Sequence, residues 1–245
     1  MPQGSILGPL LFLVYINDIV NVSALVDFLM FADDTNLFIS SHSLESLCVT
    51  ANTVLAKLAK WFRLNKLSLN VNKTNYILFH SHQKKLLTQI KLTIDNITIE
   101  QTDKTKFLRI IINQNLTWTD YFSLLKNKIS KNIGVIRQIR KNLPLYTLRM
   151  LYYALINPYF DYCYIVWGIE RNLDLENLFK LQKKAVRVIT WSKWTSHLSP
   201  IFKQLNILNL FNINVVQVTC FVYRSLNGQL PPMFKDYFVQ KLYSS

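Results

Sequence analysis

The chain has 245 residues, 50% of them hydrophobic and 17% charged, with 5 glycines and 7 prolines. That length and apolar content suffice for one large core or two modest ones, and they exclude a disordered tail, a collagen-like repeat and a Pro/Gly-rich low-complexity chain. A formal net charge of +14 points to a polyanionic partner such as nucleic acid.

Residues 1–56 contain no Lys or Arg and carry Asp18, Asp27, Asp33, Asp34 and Glu45, so an acidic amino-terminal patch precedes a strongly basic remainder. Gly8-Pro9 reads as the start of a helix, and Leu10 to Val20 is apolar on nearly every side, which predicts a buried helix. The run Ile6 to Ile16 is too short for a bilayer, which needs about 20 residues, so neither a signal peptide nor a membrane span is expected. Two short apolar runs, Asp27 to Ala32 and Thr35 to Ser40, flank Asp33-Asp34 and predict a hairpin with two acids at its bend.

Ser43 caps a helix whose positions Leu44, Leu47, Cys48, Ala51, Leu55, Leu58 and Phe62 keep three/four spacing. Asn70 to Thr74 breaks that pattern, and Tyr76 to Phe79 reads as a strand. Leu92 to Ile94 pairs with Ile97 to Ile99 across Asp95-Asn96, and Phe107 to Ile112 is a further strand. From Asn115 onward a helical domain is expected. Phe122, Leu125, Ile129, Ile133, Ile136, Ile139 and Leu143 trace one stripe that ends at Pro144, and Tyr146 to Asn157 and Leu175 to Trp191 are further helices. The last of these groups Lys180, Lys183, Lys184 and Arg187.

Cys48, Cys163 and Cys220 are odd in number and far apart, which makes them reduced core thiols rather than a metal site or a disulfide framework. His80 and His82 flank a serine with no acid or cysteine at ligand spacing and read as ordinary surface or core histidines. Asp33-Asp34 is different. Adjacent carboxylates with no basic residue nearby in sequence repel each other unless they share a cation, and Mg²⁺ is held by one or two carboxylates together with substrate phosphates. Taken alone, the dipeptide also fits an ordinary turn in which Asp satisfies the backbone.

Four segments in order resemble the palm motifs of a reverse transcriptase of the non-long-terminal-repeat retrotransposons, of the jockey and chicken-repeat kind. They are Pro2 to Phe12 (PQGSILGPLLF), Phe31-Ala32-Asp33-Asp34-Thr35, Leu69-Asn70-Val71-Asn72-Lys73-Thr74 and Lys106-Phe107-Leu108. Leu151 to Pro158, Tyr162 with Trp167-Gly168, and Leu181 to Arg187 are similar to the region beyond the palm in that family. The resemblance implies an α+β fold with an incomplete reverse-transcriptase palm over residues 1–114 and a helical thumb-like region over 115–245.

It further implies RNA-templated DNA synthesis with Mg²⁺ and deoxynucleoside triphosphates on an RNA template and DNA primer. Asp33 and Asp34 would be the metal-binding carboxylates. Pro2, Gln3 and Gly4, with Phe31 and Ala32, would line the nucleotide pocket, and Lys73 would neutralise the leaving pyrophosphate. Phe107 and Leu108 would form the hairpin that grips the primer, with Arg109 where the family has glycine. Lys126, Lys131 and Arg137, on a helix that also carries Lys128, Arg140 and Lys141, would hold the duplex by its phosphates.

The family's fingers and first palm strand, which carries another metal-binding aspartate, precede the Pro-Gln-Gly motif. The expectation is therefore a truncated enzyme, inactive alone. The alternatives are a non-catalytic nucleic-acid-binding protein, a gene relic, and a fragment that works only beside a separate chain supplying the fingers. An intracellular, nuclear location is implied by the resemblance alone.

Overall fold

The computed structural model describes residues 5–81, 90–168, 173–234 and 237–238. The fold is α+β, with helices and small two-stranded sheets. It divides into two compact units, one of residues 1–105 and 113–116 and the other of 106–112 and 117–245.

In the first unit, α1 (Leu7–Ile16) places Pro9 in its first turn, where a missing N–H costs nothing. Contrary to the expectation of a buried helix, only Ile16 is buried, and Leu7, Leu10, Leu11, Leu13 and Val14 are exposed. Its neighbours cover one side only: Ile16 joins Ile19 of the following 3₁₀ turn, Val26, Val54 and Leu58 in one small cluster. Strands β1 (Asp27–Phe31) and β2 (Asp34–Phe38) then form an antiparallel hairpin.

Helix α2 (Leu44–Leu64) starts where the Ser43 hydroxyl accepts the Ser46 N–H at 3.1 Å. Its apolar stripe serves two cores. Ala51, Leu55 and Ala59 pack with Ile90, Leu92, Ile94 and Ile99, while Val54 and Leu58 face the α1 cluster. Asn52 ties this helix to the strand that begins at Thr93: its Oδ1 accepts the Thr93 N–H at 3.0 Å and its Nδ2 donates to the Lys91 carbonyl at 3.1 Å.

The predicted strand over Tyr76 to Phe79 shrinks to β3 (Asn75–Tyr76), because its parallel partner offers only two residues. Strands β4 (Thr93–Ile94) and β5 (Ile97–Thr98) pair antiparallel as the sequence predicts. Asp95 and Asn96 both take positive φ, 47° and 66°, the conformation of the tight turn that matches strand twist. Strand β6 (Glu100–Gln101) is the partner of β3.

The single strand expected over Phe107 to Ile112 is instead a hairpin of β7 (Lys104–Phe107) and β8 (Ile110–Asn113). Leu108 and Arg109 make its two-residue turn at φ 43° and 69°. Side chains that suit αL poorly sit there, so apolar periodicity hid the bend. Tyr162 compensates: its hydroxyl donates to the Leu108 carbonyl at 2.6 Å.

In the second unit, α3 (Thr119–Ile139) buries Tyr121, Phe122, Leu125, Ile129, Ile133 and Ile136, which include most of the predicted stripe. Helices α4 (Leu145–Leu155), α5 (Asn157–Asp161) and α6 (Tyr164–Trp167) follow. The Trp167 ring meets Tyr121 and Phe122 edge-on, each at 5.7 Å between centroids. Burial pushes the Tyr121 hydroxyl up to about 12, with Cys163 and Tyr162 adding to the rise. Helix α7 (Leu173–Thr190) packs on α3, and α8 (Ser199–Gln204) and α9 (Leu210–Leu226) complete the unit.

Gln182 on α7 is fully buried and fully bonded. Its Nε2 donates to the Tyr152 hydroxyl and the Leu208 carbonyl, both at 2.9 Å, and its Oε1 accepts the Leu210 N–H at 2.8 Å. The expected core thiols are only partly so: Cys48 and Cys163 are half-buried, and Cys220 is exposed on α9, where no element covers it. No described helix is long and apolar enough to cross a membrane.

Candidate active site

Phe31 and Asp34 close the β1–β2 hairpin as cross-strand partners, leaving Ala32 and Asp33 as the two-residue turn. The bend is thus one residue earlier than Asp33-Asp34, and Asp34 opens β2. Ala32 is the reason. It adopts φ 52°, a left-handed conformation that costs a residue with a Cβ roughly 1–2 kcal/mol. Strain of this kind persists only where the surrounding strands over-determine it, here the five-pair ladder from Asp27↔Phe38 to Phe31↔Asp34. Ala32→Gly is expected to stabilise the hairpin by about 1 kcal/mol, read as slower amide exchange from Met30 to Thr35. Exchange that is unchanged or faster would show that the turn carries no strain.

Asp33 and Asp34 are both exposed, and among the described residues neither forms an ion pair. Phe31 beside them is 60% exposed, an unusual state for a large ring. The pair therefore offers hard carboxylate oxygens with no competing cation. Such a donor set fits Mg²⁺, which completes its shell with water and phosphate oxygens. Among the described residues no group of three or more His, Cys, Asp or Glu side chains gathers at metal-binding distance.

The remaining predicted site residues are dispersed. Pro2, Gln3, Gly4 and His82 lie outside the described residues. Lys73 is exposed at the end of a 3₁₀ turn over Val71–Lys73 in the same unit as the acids, with no hydrogen bond or ion pair to them among the described residues. His80 is half-buried and its Nδ1 lies 3.0 Å from the Ser81 carbonyl, a local contact without metal-site character.

Phe107 and Leu108 belong to the second unit, as do the bases of α3. Lys126 there is committed: its ammonium meets the Asp174 carboxylate at 2.9 Å, a partner 48 residues away that local spacing cannot reveal. Arg140 is likewise structural, donating to the Val188 carbonyl at 3.1 Å while its guanidinium lies 3.8 Å from the Trp191 ring centroid. Lys128, Lys131 and Arg137 are exposed. At ~100° per residue, Lys131 points away from the buried stripe and Lys128 and Arg137 fall on opposite flanks, so the bases form a broad face rather than one row.

Residues 1–112, which contain the acidic hairpin, match the family described as reverse transcriptase (RNA-dependent DNA polymerase). Over these residues the chain is similar to reverse transcriptases. The chain is 23% identical to the probable RNA-directed DNA polymerase from transposon X-element of Drosophila melanogaster, over 84% of this chain and 23% of that protein. It is 24% identical to the counterpart from transposon BS of the same species, over 84% of this chain and 24% of the relative. Against the RNA-directed DNA polymerase from mobile element jockey of Drosophila funebris the identity is 24%, over 79% of this chain and 22% of the relative.

The similarity to these transposon polymerases runs past residue 112 into the second unit, and the chain spans about a quarter of the length of the curated relatives it matches. No solved structure matches it.

Proposed function

We propose that this chain supplies the carboxylate-bearing palm hairpin and a basic helical thumb for RNA-templated DNA synthesis by a retrotransposon reverse transcriptase. One observation carries the reading: within the family-matched segment, Asp33 and Asp34 are held at the tip of a strained hairpin, exposed and without an ion-pair partner among the described residues. Mg²⁺, when bound, neutralises phosphate charge during transfer. The two carboxylates hold it, the exposed Phe31 and Ala32 border the incoming deoxynucleoside triphosphate with Pro2, Gln3 and Gly4, and Lys73 offers an ammonium to the leaving pyrophosphate. Phe107 and Leu108, fixed by Tyr162, contact the primer end.

A polypeptide of these 245 residues is inactive alone on this reading, because two carboxylates cannot fix both the attacking and the leaving oxygens of an in-line displacement. Fingers and a first palm strand, on the same or another polypeptide, complete the site. The experiment is primer extension on an RNA template, with the chain alone and with the remaining segments of the X-element polymerase added. Extension is expected only in the mixture. Its absence from both would overturn the polymerase reading in favour of a non-catalytic nucleic-acid-binding protein.

Duplex binding by α3 rests on Lys131 and Arg137, since Lys126 is occupied by Asp174. Lys131→Ala and Arg137→Ala should each reduce the slope of log affinity against log salt by about 0.9, one phosphate contact apiece. Lys126→Ala should leave the slope unchanged and lower stability by up to ~1 kcal/mol instead. Equal slopes for all three variants would show that the α3 face is merely solvated.

A further inference from the structure

We propose that a cleft formed by α7, α8 and the start of α9 binds single-stranded nucleic acid, with phosphates on Lys183, Arg187 and Lys203 and a base stacked on Trp194. The site lies wholly within the second unit, goes beyond the polymerase reading and does not depend on it.

The cleft has a volume of about 920 Å³ and is lined by Phe179, Lys183, Arg187, His197, Lys203 and Asn206 among others, with no Asp or Glu in its wall. Its cations are left for a ligand: among the described residues Lys183, Arg187 and Lys203 form no ion pair. Lys183 and Arg187 lie four residues apart on α7, hence on one face, and aromatic rings hold both in place. The Lys183 ammonium is 4.3 Å from the Phe179 centroid, and the Arg187 guanidinium is 4.7 Å from the Trp194 centroid. Arg187 Nε is buried with no hydrogen-bond partner among the described residues, so an unneutralised charge is fixed at the cleft wall.

Trp194 decides the class of ligand. It is 74% exposed although it is the largest kind of apolar side chain, on a loop that begins at Trp191, itself 54% exposed at φ 57°. One side of the Trp194 ring receives Arg187 and the other is open. A free phosphate would leave most of this volume empty. An acidic peptide would use the cations but not the ring. A duplex keeps its bases stacked inside, whereas a single strand offers both phosphates and unpaired base faces. The sequence carried a signal for this site that motif reading passed over: Arg187, Trp191, Lys193 and Trp194 interleave bases with aromatics within eight residues.

The test uses the whole 245-residue chain with labelled oligo(U) and oligo(dT) strands of twelve nucleotides, against a hairpin duplex and polyglutamate. Trp194→Ala should weaken single-strand binding roughly tenfold with the salt slope unchanged, and Trp194→Phe should recover most of the loss. Lys183→Ala with Lys203→Ala should lower the salt slope by about 1.4, near 0.7 for each lost contact to a single strand.

Trp194 and Lys203 are exposed and Lys183 is half-buried, and circular dichroism checks that the variants keep the fold. Unchanged affinity in both the Trp194 and the Lys183/Lys203 variants overturns the proposal. So does competition by polyglutamate that equals that of oligo(U) and is indifferent to Trp194→Ala, the result expected of an acidic-peptide site. Failure of the polymerase reading is seen separately, in primer extension.

Discussion

Asp33→Ala and Asp34→Ala are each expected to reduce primer extension by roughly two to three orders of magnitude in the mixture of this chain with the remaining polymerase segments, as a single electrostatic group at a reacting centre is worth ~3–4 kcal/mol. Each substitution removes oxygen donors from a pair that no third His, Cys, Asp or Glu joins in a metal-binding group among the described residues. Both side chains are exposed and hydrogen-bond to nothing that the fold needs among the described residues, so the loss should appear in rate and not in stability. Asp33→Asn separates charge from shape and should be nearly as damaging. Retention of more than a tenth of the rate in both alanine variants would show that the hairpin tip is an ordinary turn. Robust extension by the chain alone would show that it contains a complete site.

The largest effect on stability is expected from Gln182→Met, which keeps most of the volume and deletes every polar bond. It leaves the Tyr152 hydroxyl, the Leu208 carbonyl and the Leu210 N–H without the partner each has in the native core. A buried polar group stripped of its partner costs ~1–3 kcal/mol, so a loss of about 3 kcal/mol or more is expected, a large share of the ~5–15 kcal/mol that holds a domain together. Burial already raises the Tyr152 hydroxyl strongly, and its bond from Gln182 opposes that rise, which places the pair in a medium where missing hydrogen bonds are not replaced by water. Lys180→Ala, two residues away and exposed, should change stability by less than ~0.5 kcal/mol. Urea denaturation followed by tryptophan fluorescence measures both, with the midpoint shifting at constant slope. A loss below about 1 kcal/mol for Gln182→Met would mean that these bonds contribute no net stability.

Local patterns in the chain determined much of this protein. Three/four spacing locates α2, α3, α4 and α7, the Ser43 hydroxyl starts α2, and Asp95-Asn96 sets the β4–β5 turn, because each of these depends on interactions between near neighbours. Asp33-Asp34 between two apolar runs likewise announces an acidic hairpin.

Tertiary structure decided what periodicity cannot encode. It moved the turn onto Ala32 and forced Leu108 and Arg109 into left-handed backbone, since strand pairing and the Tyr162 hydroxyl outweigh the local preference of those residues. It withdrew Lys126 from the basic face by setting Asp174 against it, and left the apolar α1 largely exposed, since hydrophobicity states that a face favours burial but not what will cover it. It also drew Lys183, Arg187 and Lys203 around one cleft and set Arg187 against an exposed tryptophan. That juxtaposition depends on how α7, α8 and the loop between them pack, a matter of side chains distant in sequence competing for the same space.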